Sequence, residues 1–204
     1  MEFKEGEIKS NKVLTELDKF VINFIDILER YGEYVIVSGY VSIVLGRSRA
    51  TEDVDLLVPK MDFSKFTNLF SDLLSNDYEC ANTSIPEEAY KMLDEHAIRF
   101  YKKGKPIPNM EFKQISTNIH KYSFENRIKL VLKEKTLFIS PLELQIPYKL
   151  SLISDEEFEE ASSDKDFEDA QHIYELFKEK LNKEELFHFV KLLKVKKKME
   201  WLEK

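Results

Sequence analysis

The sequence predicts an α/β protein, with a helix near its N-terminus, strands and helices through its middle, and a wholly helical C-terminal region. Three observations carry this. Val13, Leu14, Leu17, Phe20, Val21, Phe24 and Leu28 recur at helical spacing after Ser10. Val35–Val37 and Val54–Val58 are short apolar runs of strand length, the first ending in a small Ser38-Gly39 pair. From Pro141 onward the apolar spacing is helical throughout. A chain of 204 residues, 43% of them hydrophobic, is long enough for one well-cored domain or a core with a helical appendage. The division expected is a core over residues 1–140 and a helical region over 141–204 that closes a cleft.

Each element follows from local chemistry. The N-terminal helix ends near Gly32, where a C-cap is expected. A strand over Tyr34–Val37, a helix from Tyr40 to Leu45, a strand over Val54–Val58 and a helix over Asp62–Leu74 come next. Ser84-Ile85-Pro86-Glu87 has the spacing of a capping box for a short helix. Ala97–Tyr101 and Met110–Ile115 alternate like strands, joined by the turn-rich Lys102 to Pro106. Arg127–Leu132 and Thr136–Ile139 pair as a hairpin. Helices are expected over Pro141–Ser154, Asp164–Lys180 and from Asn182 to the end, with Asn182 and Glu185 spaced as a capping box.

Composition narrows the function classes. One cysteine, Cys80, excludes an intramolecular disulfide framework. No run approaches the length of a membrane span, and the N-terminus is not a signal peptide, so no membrane role and a cytoplasmic location are expected. A net charge of −7 argues against generic nucleic-acid binding. The charge is unevenly placed, however. Eleven Lys or Arg stand against four acids from Arg99 to Lys149, and nine acids against one Lys from Asp155 to Asp169. Ordinary solvated faces explain both runs; a basic wall for a phosphate-bearing acceptor is the alternative. His96, His120, His172 and His188 show no metal-ligand spacing. The basic segment from Lys191 is expected to pack Leu192, Leu193, Val195 and Trp201 on the body.

The stretch from Val35 to Val58 carries the chemistry. Asp53 and Asp55 are two apart at the start of a strand, so their carboxylates point to one side of the sheet. That arrangement suits a divalent ion carrying a nucleotide's phosphates. The tripeptide alone decides nothing: with twelve aspartates an Asp-x-Asp arises about once by chance, and Asp164-Lys165-Asp166 is another. The order of pieces is what is demanding: strand, small-residue turn, helix, the Arg47, Arg49 and Thr51 segment, then Asp-x-Asp leading into an apolar run.

On these residues the chain resembles the DNA polymerase beta-like nucleotidyltransferase superfamily, whose signature is a Gly-Gly or Gly-Ser pair followed by two alternating acids. Ser38-Gly39 takes the place of the pair, with Ser38 departing from the commoner first glycine. The wording from Arg49 to Asp55 resembles the small prokaryotic branch that includes abortive-infection toxin-type nucleotidyltransferases. The resemblance implies a mixed sheet carrying an acidic triad, Mg²⁺ or Mn²⁺ held by Asp53, Asp55 and a third acid, and a nucleoside triphosphate as substrate. Glu111 is the only acid on a credible strand between Asp94 and Glu125, and it takes the third position, holding metal and helping to deprotonate the acceptor hydroxyl. Read blandly, Glu111 is a solvent-facing strand residue paired with Lys113.

The remaining candidates surround this triad. Ser38 and Gly39 open a helix whose amides favour anions. Thr51 offers a hydroxyl, and Arg49 a bidentate phosphate contact. Ser140 to Leu150 followed by Asp164 to Ala170 also resembles the toxin-type branch, which places Lys149 at nucleotide phosphates and gives Asp166 and Asp169 supporting roles. Helix-terminal acids favoured by the dipole are an equally good reading of those two aspartates, and either way they are placed to orient Lys149. The expected reaction is transfer of a nucleoside monophosphate to an acceptor hydroxyl on a protein, an RNA or a small molecule. The competing reading is a nucleotide- or partner-binding protein with little or no turnover; one half of a toxin–antitoxin pair is a further reading.

Overall fold

In a computed structural model describing residues 1–4, 6–154 and 164–203, the chain begins with two short strands, β1 (Glu2–Lys4) and β2 (Glu7–Ser10). Then come α1 (Glu16–Leu28), β3 (Val35–Ile36), α2 (Gly39–Val44), β4 (Asp53–Val58), α3 (Phe63–Ser75), β5 (Tyr78–Cys80) and α4 (Pro86–Met92). The second half contains β6 (Ile98–Lys102), β7 (Lys105–Gln114), α5 (Asn118–Glu125), β8 (Ile128–Leu132), β9 (Lys135–Ile139), α6 (Leu142–Ser151), α7 (Lys165–Phe177), α8 (Lys183–Leu192) and α9 (Lys196–Leu202). Among the described residues the strands form one mixed sheet in the order β1-β2-β8-β9-β3-β4-β7-β6-β5. The β4–β7 pair at its middle is parallel, and β3 pairs antiparallel with β4.

Alternation along β4 and β7 gives the sheet two unlike faces. Val54, Leu56, Val58, Met110 and Phe112 are fully buried on one of them. There Phe100 stacks edge-on to Phe70 and Phe112, with centroids 5.6 and 6.1 Å apart, and Phe24 lies 5.8 Å from Phe100. These rings come from α1, α3 and the strands beneath them, so α1 and α3 cover this side. The other face carries Asp53, Asp55, Glu111 and Lys113, and polar residues survive there because a cleft rather than a packed layer lies over them. The helix α6 is buried nearly all round, including Leu142, Leu144, Gln145, Ile146, Lys149 and Leu150, as expected of a helix enclosed by others.

Several sequence expectations need correction. The first helix starts at Glu16, because Thr15 and Asp18 form a full capping box there. Val13 is exposed, and the preceding residues form a hairpin whose second strand runs parallel to β8. The helix ends at Leu28, before Gly32. Ser84 does not cap α4: Ile85 is the N-cap, and Pro86 opens the helix with φ already suited to it. Strand β7 begins at Lys105, earlier than expected, while β5 and α5 were not anticipated. The C-terminal helix breaks at Lys194, whose φ of 60° ends α8 before α9 begins. Val195, Met199 and Leu202 face inward, whereas Leu192 and Trp201 are exposed.

The two charge runs also resolve. Residues 155–163 of the acidic run lie outside the described residues. The basic run is not one wall: Lys149 is buried, Arg99 and Lys113 pair with Glu111, Arg127 with Glu33, Lys129 with Glu7 and Lys135 with Asp26. Among the described residues no helix is long and apolar enough to cross a membrane.

Candidate active site

Asp53 and Asp55 open β4, and β7 is its parallel neighbour, with Asp55 paired in register with Glu111 and Asp53 with Asn109. Register partners in a sheet point the same way, so the three carboxylates share one face. Lys113, two residues beyond Glu111, reaches back between two of them. Its Nζ lies 3.1 Å from Asp55 Oδ1 and 2.6 Å from Glu111 Oε1. Arg99, the antiparallel partner of Glu111 on β6, donates from Nη2 to Glu111 Oε2 at 2.8 Å. The Thr51 hydroxyl donates to the Asp53 carbonyl at 3.0 Å, fixing the entry to β4.

Asp55 and Glu111 differ electrostatically. Burial pushes the Asp55 carboxyl above the usual range, more strongly than Lys113 pulls it down, and Glu111 and Asp53 add to the rise. Burial also opposes ionisation of Glu111, but hydrogen bonds from Lys113 and Arg99 outweigh it and hold that carboxyl low. A carboxylate so held is a weak proton acceptor, which limits Glu111 as the base for an acceptor hydroxyl. Glu111 is buried and not solvent-facing, and its pairing with Lys113 is real.

Beside this cluster, Ser38 turns the chain from β3 into α2 with φ 61° and ψ −137°, a conformation that favours glycine. Gln145 on α6 clamps it: Nε2 donates to the Ser38 carbonyl at 2.8 Å, and Oε1 accepts from the Ser38 amide at 3.2 Å. The glycine at 39 is required by close approach. A Cβ there would lie 2.2 Å from Arg49 Nη2.

Arg49 cannot retreat, because Asp169 holds it with two bonds, Nε to Oδ1 at 3.0 Å and Nη2 to Oδ2 at 2.9 Å. Asp169 is fully buried on α7. It also accepts from Ser42 at 2.6 Å, from Arg47, and from Lys149 at 2.9 Å. Lys149 bonds Asp166 as well, at 2.6 Å, and Arg47 reaches Glu168. Three cations and three acids thus close on one another where α2, the 45–52 loop, α6 and α7 meet. Burial alone would raise the Asp169 carboxyl; Arg49, Lys149 and Ser42 together hold it below the usual range.

The cleft over the acidic face is lined by Val37, Ser38, Asp55, Lys113, His120 and Tyr148 among others, and its enclosed end holds about 60 Å³. That is room for a few waters. Burial, and then Lys113, hold the His120 imidazole below its ordinary value, so it is neutral at neutral pH.

The donor chemistry of the acidic face suits Mg²⁺ or Mn²⁺, since all three side chains offer hard oxygens. Among the described residues, no three acids, histidines or cysteines converge as a ready-made cage. Lys113 stands between two of the carboxylates and acts there as a stand-in cation.

Comparison with solved structures agrees with this architecture. An antigenic nucleotidyltransferase-like protein from Paracoccidioides brasiliensis superposes with a TM-score of 0.52 at 16% identity, over 86% of this chain and 85% of that one. The antibiotic-resistance factor ANT(2'')-Ia, whose solution structure reveals substrate-regulated conformation dynamics, gives a TM-score of 0.57 at 12% identity, over 86% and 90%. The chain has the nucleotidyltransferase fold. No protein-family model matches it, nor does any curated protein.

Within that fold, Asp53, Asp55 and Glu111 come together on one face, with Ser38 at the edge of the same cleft. Of the three acids Asp55 lines the cleft itself; Asp53, Glu111, Arg49 and Lys149 do not, and Arg49 and Thr51 line a second pocket beside Arg47 and Ser48. The nitrogens of Arg49 and Lys149 are committed to Asp169, to Asp166 and to the Ala50 carbonyl, with side chains only 16% and 3% exposed. Asp166 and Asp169 orient them. The sequence does not single out Gln145, whose partner Ser38 is distant in the chain, or His120, which shows no metal-ligand spacing and reaches the cleft only once α5 is placed against β4. Lys113 was visible only as a partner for Glu111, though its i+2 spacing already placed it on the acidic face.

Two outcomes follow. Asp169→Asn removes the carboxylate shared by three cations, leaves Arg49 without an acidic partner among the described residues, and is expected to cost about 3–5 kcal/mol, read as a fall in denaturant midpoint. Because the folded carboxyl titrates below its ordinary 3.8, the gap between wild type and variant should be constant above that pH. It should shrink as pH falls further, and a gap that widens in acid contradicts the assignment. Ser38→Gly removes the strain of a positive φ and should stabilise by about 1 kcal/mol; unchanged or lower stability would show that the serine side chain is needed.

Proposed function

We propose that this protein is a metal-dependent nucleotidyltransferase, moving a nucleoside monophosphate from a triphosphate to an acceptor hydroxyl and releasing pyrophosphate. The observation that carries the reading is the in-register pairing of Asp55 with Glu111, with Asp53 on the same face beside the Ser38 turn. The fold supports the general kind of reaction. Asp53, Asp55 and Glu111 would hold a divalent ion, which when bound would neutralise charge building up on the transferred phosphoryl group. The chain's own residues do the rest. Gln145 fixes the Ser38 turn, Thr51 fixes the entry to Asp53, and Lys113 and Arg99 hold Glu111 in place. The neutral His120 faces the same cleft and is available to an acceptor's polar groups.

A second reading is a nucleotide-binding protein with little turnover, favoured by the Lys113 ammonium already neutralising two of the three carboxylates. Incubation with triphosphates labelled at the α-phosphorus, Mg²⁺ or Mn²⁺ and a cell extract separates the two. Transfer of label to any acceptor supports the enzyme; nucleotide binding without transfer supports the binder.

Asp55→Asn is expected to lower transfer by about 10²–10³-fold while leaving stability equal or higher. Burial already raises this carboxyl's pKa, so its favourable contribution belongs to the protonated form and is lost as pH rises through the folded value. The ionised form is the less favourable one in the fold, and a neutral amide removes that burden. Full transfer in Asp55→Asn, or a large loss of melting temperature without loss of transfer, would remove Asp55 from the site.

A further inference from the structure

The ammonium of Lys113 sits where a bound cation would compensate the acidic face. It touches Asp55 and Glu111 at 3.1 and 2.6 Å, and Arg99 takes the far oxygen of Glu111. Without Lys113, three carboxylates would face one another with a single cation among them. The lysine is nevertheless not locked in. Its side chain is 35% exposed at the cleft, against 3% for Lys149 in the Asp169 cluster. An ammonium on a four-carbon stem can swing through several ångströms without moving the strand.

We propose that Lys113 is a resident counter-cation of the acidic face, and that a divalent ion enters this face only by displacing it. The proposal rests on the reading of Asp53, Asp55 and Glu111 as ion-holding residues and adds how entry is controlled. Two positive charges cannot share the space between Asp55 and Glu111, so occupation by one excludes the other. Lys113 therefore lowers affinity for the bare ion while holding the empty face together. An ion that arrives with an anionic ligand is favoured over a bare one, because the displaced ammonium then has a negative partner.

The test is calorimetric titration of Mn²⁺ alone, without nucleotide, into wild type, Lys113→Met and Lys113→Arg. Lys113→Met should bind Mn²⁺ at least tenfold more tightly than wild type, and Lys113→Arg should stay near the wild-type value. Equal or weaker binding by Lys113→Met overturns the proposal. A parallel measurement on wild type needs no variant to fold: amine acetylation read residue by residue by mass spectrometry. Saturating Mn²⁺ should raise the labelling rate of Lys113 several-fold relative to Lys103 and Lys105; a Lys113 rate that does not respond overturns the proposal even if Lys113→Met fails to fold. Label transfer is read separately. Metal-dependent transfer with no Lys113 effect leaves the enzyme reading standing and removes this inference. A clear Lys113 effect without transfer does the reverse.

Discussion

The interaction on which the rest depends is the closed ion cluster around Asp169. Its carboxylate is fully buried, and every oxygen is taken by Ser42, Arg47, Arg49 or Lys149. An isolated buried carboxylate would be prohibitively unfavourable, and so would the lysine and arginines facing it. Together they are tolerated only in one geometry, which gives the cluster its specificity even if its net contribution to stability is small. That geometry ties α7 to α2, to the 45–52 loop and to α6. Each tie has a consequence at the cleft. The fixed Arg49 forbids any side chain at Gly39, and fixing α6 places Gln145 against Ser38. The loop from α2 then has one route to Asp53.

The sheet supplies the second constraint. Its period of two sorts β4 and β7 into a face of Val54, Leu56, Val58, Met110 and Phe112 and a face of Asp53, Asp55, Glu111 and Lys113. The first is anchored by aromatic rings from α1 and α3. Such a core tolerates an unfavourable opposite face, and the cost there falls on Asp55, whose carboxyl burial makes reluctant to ionise. A group strained in this way is what functional sites commonly contain and structural surfaces avoid.

Much of this was legible in the sequence because it is local. The i and i+2 aspartates, the turn at Ser38-Gly39, the β8–β9 hairpin and the helices after Pro141 all follow from spacing and turn chemistry over a few residues. What was hidden is non-local. The β1–β2 hairpin is dense in Glu and Lys and is recognised as strand only by pairing with β8, more than a hundred residues away. Asp169 reads as a helix-terminal acid until α2 and the 45–52 loop are brought to it. The basic run leaves a wall open as an alternative to solvated faces because sequence cannot show that its lysines and arginines leave in different directions, Lys149 inward to Asp169 and Lys135 outward to Asp26. Arg49 and Lys149 have the chemistry of phosphate ligands, and only the fold shows their charge already answered.

The two ion clusters of this protein use the same residue types to opposite ends, and the difference lies in charge balance and access. Around Asp169, Arg47, Arg49 and Lys149 meet Asp166, Glu168 and Asp169, three against three among the described residues, and the central groups are shut away from water. Around Asp55, Lys113 and Arg99 meet Asp53, Asp55 and Glu111, two against three, at the edge of a cleft. A balanced, enclosed cluster has nothing to gain from a further ion and resists rearrangement, since any departure leaves a buried charge unpaired. An unbalanced one at a cleft retains a negative excess, attracts cations, and contains one lysine exposed enough to move aside. The closed cluster therefore holds the loop and helices in position, and the open one is where we propose that a ligand is met.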